Sequence, residues 1–120
     1  MRLKSHLQYE RNFCNLSQSI GWHAERVAAS GRRRGSVCDA VLFTQKASYL
    51  VEIKSTRANS FSLANGLHGL VEVADKLPVK ALIAVYFKSS HSCKGKGVWV
   101  WKVITKDLGS VKRDDRPDEI

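Results

Sequence analysis

The chain has two prolines, one methionine and eleven acidic residues against twenty basic ones. No apolar run approaches the roughly 20 residues that a membrane helix needs. The basic start Met1-Arg2-Leu3-Lys4-Ser5-His6 is followed by no hydrophobic segment, so no signal peptide is expected. The three cysteines, Cys14, Cys38 and Cys93, are odd in number and widely spaced, with no CxxC pair. This argues against a disulfide framework or a zinc knuckle, and for reduced thiols in a cytoplasmic, intracellular protein. His6, His23, His68 and His91 form no histidine pair at helical spacing, so a histidine-built metal site is not expected. Repeats and low-complexity segments are absent.

What is present suits one folded domain: 120 residues, 43% of them hydrophobic, with a net charge of +9 and a pI near 9.8. An excess of that size favours a polyanion, with nucleic acid first and an anionic membrane surface second. No membrane partner and no small-molecule substrate is expected. Composition by itself is equally compatible with a merely soluble basic protein.

The most informative stretch is Val51-Glu52-Ile53-Lys54. Tyr49 to Ser55 is rich in strand formers, and period-2 alternation puts Glu52 and Lys54 on one face and Val51 and Ile53 on the other. A carboxylate and an ammonium on a half-buried strand cost free energy unless they pair or bind something.

Around that strand the chain reads as helix, three strands, helix, two strands. Tyr9, Phe13, Leu16 and Ile20 recur at +4, +3 and +4, which predicts a helix over 5–20 that stops at Gly21. Glu10 lies at the margin of that stripe, where it is able to reach a neighbouring strand end; an ordinary solvated glutamate is the simpler reading. Residues 22–29 and 37–43 read as strands separated by Ser30-Gly31-Arg32-Arg33-Arg34-Gly35-Ser36, an exposed cationic loop suited to phosphates. The polar residues 44–48 suggest a hairpin into the Tyr49 strand. Counted from a turn near Lys46, Asp39 and Glu52 become near-opposite cross-strand neighbours. Residues 57–62 read as loop, with Asn59 or Ser60 as a cap for a helix over 63–77. Ala81–Phe87 reads as a buried central strand, and Val98–Val103 as a strand whose tryptophans mark a core or a subunit interface. A single folded domain is expected over 1–105, with a charged, loosely ordered tail over 106–120.

Two carboxylates converging from adjacent strands make a hard-oxygen site suited to Mg²⁺, with Mn²⁺ as a possible substitute. A lysine on the same face is placed to orient water or stabilise a charged transition state. With cationic loops to bring the phosphodiester, these are the parts of metal-assisted phosphodiester hydrolysis.

The spacing of Asp39 and Glu52-Ile53-Lys54 resembles the PD-(D/E)xK nuclease signature. Tyr9-Glu10-Arg11, Gly21-Trp22, Arg26 to Gly31 with Ser30, and Val51-Glu52-Ile53-Lys54-Ser55-Thr56 extend the likeness to the archaeal Holliday junction resolvases, over about residues 7–57. Cys38 stands where the signature often has proline, a position that shapes backbone rather than chemistry. The resemblance implies an α/β fold of the restriction-endonuclease type (αβββαββ) with a mixed central sheet flanked by helices. It implies Glu10, Asp39 and Glu52 as metal or catalytic carboxylates, Lys54 as the catalytic lysine and Ser30 as a serine near the scissile phosphate. Arg32, Arg33, Arg34 and Arg57 become DNA contacts, four-way junction DNA the substrate and a homodimer the working unit. The alternatives are another PD-(D/E)xK repair or restriction-like endonuclease, and a non-catalytic basic DNA-binding module.

Overall fold

The computed structural model describes residues 6–27, 38–63, 67–89 and 97–120, the side chain of His68 excepted. The predicted loop that carries Ser30, Arg32, Arg33 and Arg34 lies outside the described residues, as does Cys93.

The order of elements is α1 (His6–Ile20), β1 (His23–Arg26), β2 (Ala40–Phe43), β3 (Ser48–Thr56), β4 (Ser60–Ser62), α2 (His68–Lys76), β5 (Lys80–Phe87), β6 (Val98–Val103) and β7 (Ser110–Lys112). The helix–strand sequence read from the chain is therefore present, with two short strands added. The main sheet has the order β1-β2-β3-β5-β6. It is antiparallel from β1 to β3 and between β5 and β6, and parallel between β3 and β5. This is a mixed sheet with α2 in the crossover between its two parallel strands.

Burial follows the period-2 pattern. Tyr49, Val51 and Ile53 of β3 are buried and face α1, joined by Ala40, Leu42, Leu82 and Ala84. Tyr9 and Phe13 of α1 fill this layer, with Trp99, Trp101 and Tyr86 packed against it. On the other face, Leu70 and Ala74 of α2 meet Ala81 and Cys38, beside a second cluster of Ile83, Val85, Phe87, Val100 and Val111. With layers on both faces, β5 has to be apolar on both sides, which explains its nearly continuous run. At the end of α1, Gly21 takes a φ of 103°, a left-handed conformation that glycine adopts without Cβ strain. The Trp22 N–H then donates to the Ser17 carbonyl at 2.9 Å and closes the helix.

Two expectations are corrected. The second helix starts at His68, not near residue 63, and neither Asn59 nor Ser60 caps it. Ser60 instead begins β4, and the Leu63 N–H donates to the Gly109 carbonyl, which ties that segment to the C-terminal chain. The segment read as a loose tail is engaged with the rest of the fold. β7 pairs with β4, and the Asp118 carboxylate accepts the Val103 N–H at 2.7 Å while its carbonyl accepts the Trp101 indole N–H at 2.8 Å. The tryptophans belong to the core under α1: Trp99 packs on Phe13 and Tyr86, and Trp101 on Trp22.

Candidate active site

The register of the β2–β3 hairpin sets the site. Ala40, the first residue of β2, stands opposite Val51, which brings Asp39, one residue earlier, beside the Glu52–Ile53 stretch of β3. The Asp39 N–H donates to the Val51 carbonyl at 2.8 Å, and its carboxylate accepts the Ile53 N–H at 2.8 Å. Asp39 precedes the first residue of β2 and lies in a bend, so its carboxylate fills the place that a further strand residue's carbonyl would take. One side chain thereby ends the strand pairing and is held rigidly beside Glu52.

Lys54 follows on the same face of β3, with its Nζ 3.2 Å from Glu52 Oε2. Glu52 is held above the usual carboxylate range by burial first and by the charge of Asp39 second, with Lys54 pulling the other way.

The third carboxylate comes from α1. Seating Tyr9 and Phe13 on the sheet turns Glu10 inward, where it is 4% exposed. Its carboxyl is raised above the ordinary range by burial first and then by Asp39, while His6 and Arg26 oppose the shift. Arg26 Nη1 lies 3.7 Å from Glu10 Oε1, and His6 Nε2 lies 3.3 Å from Glu10 Oε2 and 3.7 Å from Asp39 Oδ2. Asp39 is thus the hinge of the arrangement: its charge raises both Glu10 and Glu52.

The structure brings together Glu10, Asp39, Glu52 and Lys54, and adds two groups that sequence reasoning missed, His6 and Arg26. Among the described residues, His6, Glu10 and Asp39 are the group whose possible ligand atoms lie within 4.8 Å of one another. Glu52 stands outside that tight group and points to Lys54. His6 had one signal in the sequence: it precedes Glu10 by four residues, one helical turn. Arg57 is exposed just past β3, with its carbonyl accepting from the Arg113 guanidinium at 3.2 Å.

Two carboxyl groups raised by burial and by the charge of Asp39 between them form a donor set that a divalent cation would relieve. Hard carboxylate oxygens are the ligands that Mg²⁺ and Mn²⁺ accept. The residues present therefore fit a divalent metal centre.

The family model of the archaeal Holliday junction resolvase (Hjc) matches residues 4–116. No curated protein matches the chain. Among solved structures, the chain is similar to the Archaeoglobus fulgidus Hjc, a Holliday junction resolvase from an archaeal hyperthermophile, with a TM-score of 0.67 and 19% identity over 88% of this chain and 85% of that one. That likeness establishes the restriction-endonuclease-like fold. The family match spans nearly the whole chain, and the protein belongs to the archaeal Holliday junction resolvase family, a family of DNA endonucleases.

Proposed function

We propose that this chain resolves four-way DNA junctions by hydrolysing phosphodiester bonds at a centre built from Glu10, Asp39, Glu52 and Lys54, with Mg²⁺ or Mn²⁺ as the ion. The observation that carries the reading is the Asp39 carboxylate, fixed by the Ile53 N–H and close enough to Glu52 for its charge to raise that carboxyl. Glu10, Asp39 and Glu52 would hold the ion. Bound there, it would supply an acidified water and neutralise charge on a phosphoryl oxygen.

The chain's own groups do the rest. Lys54, with its ammonium partly solvent-exposed, stabilises the extra negative charge as the phosphorus is attacked. Glu52 holds Lys54 in place. Arg26 and the aromatic seat under α1 keep Glu10 turned toward Asp39. Ser30 supplies a hydroxyl near the scissile phosphate, and Arg32, Arg33, Arg34 and Arg57 contact the backbone. The net charge of +9 favours that association.

Resolution needs two symmetric nicks on strands of like polarity, and one chain carries one such centre. A two-fold homodimer supplies the second. The tryptophans of β6 serve the chain's own core, so the dimer surface is sought among exposed apolar residues such as Phe43, Ile20, Leu77 and Val98.

The test compares cleavage of a mobile four-way junction with linear, flap and mismatched duplexes, with Mg²⁺ and with EDTA, alongside sedimentation equilibrium at micromolar concentration. Paired nicks on the junction, abolished by EDTA and by Asp39→Asn with binding retained, support the reading. Preferential cutting of another substrate makes the enzyme a different endonuclease. Junction binding without cutting makes it a DNA-binding module, and a 13.4 kDa species with and without DNA removes the paired-nick mechanism.

A further inference from the structure

We propose that His6 is a metal ligand, so that the centre is a mixed nitrogen–oxygen site that prefers Mn²⁺ to Mg²⁺. The inference rests on the reading that Glu10 and Asp39 hold a cation, and it adds an imidazole to them.

The argument starts from separation. At metal–oxygen distances of about 2.1 Å, adjacent octahedral ligands stand about 3 Å apart and opposite ones about 4.2 Å. His6 Nε2 is 3.3 Å from Glu10 Oε2 and 3.7 Å from Asp39 Oδ2, within that interval for both. The three donor atoms span no more than 4.8 Å.

The second part is orientation. His6 opens α1 one turn before Glu10, so both side chains project from one face of the helix toward Asp39. Glu10 divides its oxygens: Oε1 faces Arg26 at 3.7 Å, and Oε2 faces His6. The oxygen beside the imidazole is therefore the one directed away from the competing guanidinium. Asp39 likewise has Oδ2 fixed in direction by the Ile53 N–H. His6 is 46% exposed at its side chain, which leaves the remaining positions of an ion open to water and to a phosphate.

The third part is ligand preference. Carboxylates alone suit Mg²⁺ and Mn²⁺ alike, whereas imidazole is a borderline donor that strengthens binding of first-row transition ions. One nitrogen in the donor set thus separates two ions that an all-oxygen site treats similarly. A plain helical ion pair between His6 and Glu10 makes no such distinction between metals.

The experiment uses the full chain without DNA. Mg²⁺ and Mn²⁺ are titrated calorimetrically into wild type, His6→Ala, His6→Gln, Asp39→Asn and, as a control, His23→Ala. Mn²⁺-loaded samples are then examined by electron spin echo for coupling to a ligand nitrogen. His6 is half-exposed at a helix end, so both substitutions should fold, and circular dichroism verifies it. Wild type should show nitrogen coupling that is lost in both His6 variants and kept in His23→Ala. Mn²⁺ affinity should fall in the His6 variants by about 10-fold or more, the loss known for removing even an outer partner of a metal ligand, and the ratio of Mn²⁺ to Mg²⁺ affinity should fall with it. Mn²⁺ bound with oxygen ligands alone, at a ratio the His6 variants leave unchanged, overturns the role of His6 and leaves the carboxylate centre standing. Binding of neither ion above the Asp39→Asn background overturns both readings.

Discussion

Replacing Lys54 by alanine separates a catalytic lysine from a structural one by size of effect. Its Nζ is 3.2 Å from Glu52 Oε2, with the two side chains 40% and 18% exposed. A pair as open as this contributes at most about 1 kcal/mol to folding. For 120 residues, an unfolding entropy of about 2.1 cal/mol/K per residue gives roughly 0.25 kcal/mol/K, so the melting temperature should drop by no more than about 4 °C. Loss of one transition-state donor costs about 2.7–4 kcal/mol, a rate loss of about 10²–10³-fold. The assay is single-turnover cleavage of a pre-bound four-way junction, read beside a thermal melt. Lys54 also lowers Glu52, so its removal should push that carboxyl further up and move the residual activity to higher pH. Lys54→Arg should recover part of the rate, because it restores the charge. A Lys54→Ala enzyme that cuts at the wild-type rate, or that loses rate only in step with its folded fraction, refutes the assignment.

Glu10 carries a pH signature in the metal-free protein. A carboxyl raised in the folded state binds its proton more tightly there, so its contribution is most favourable below the unfolded value of 4.5 and is lost as pH rises through the folded one. Urea melts at pH 4 and pH 7 should show Glu10→Gln gaining stability relative to wild type at the higher pH; a constant difference would contradict the burial argument. Asp118→Ala removes a 2.7 Å bond to the Val103 N–H and a 3.3 Å contact to Lys102, a charge-assisted interaction worth about 1.5–3 kcal/mol. Its melting temperature should fall by about 6–12 °C, and no change would return the last residues to the status of a loose tail. Removing Arg32, Arg33 and Arg34 together should flatten the salt dependence of junction binding by up to about three counterions, read as the slope of log affinity against log salt. An unchanged slope makes them a solvated run.

The long elements were legible because each carries a periodic signal of its own. The α1 stripe identified Tyr9 and Phe13 correctly, and the alternation in β3 and β6 sorted their residues to the right faces. β4 and β7 were not legible: each has three residues with a single apolar one, and they pair across some fifty positions of chain. The start of α2 was misplaced because Leu63 has the helical spacing but spends its N–H on Gly109. At the site, local reading reached Glu52 and Lys54, which share one strand, and the hairpin count brought Asp39 to within a residue of its register. Asp39 itself was taken as a strand residue, whereas it lies in the bend before the strand. No strand alternation fixes a carboxylate there, and its hydrogen bond to Ile53 does. Arg26 was missed because its partner Glu10 belongs to another element, and His6 because its spacing to Glu10 does not show that Asp39 stands beside both.

The bond from the Ile53 N–H to the Asp39 carboxylate ties cutting to correct assembly. The same side chain that ends the pairing of β2 with β3 is the one proposed to hold the metal ion. A chain that has collapsed but slipped its hairpin by one residue loses both the pairing and the adjacent carboxylates, since a one-residue slip turns side chains to the other face. The short turn at Thr44–Ala47, closed by a 3.0 Å backbone bond, is therefore the part that sets the register on which the proposed centre depends. On the proposed assignment of Asp39, a chain whose turn has not closed in the right register would lack the centre and leave DNA uncut.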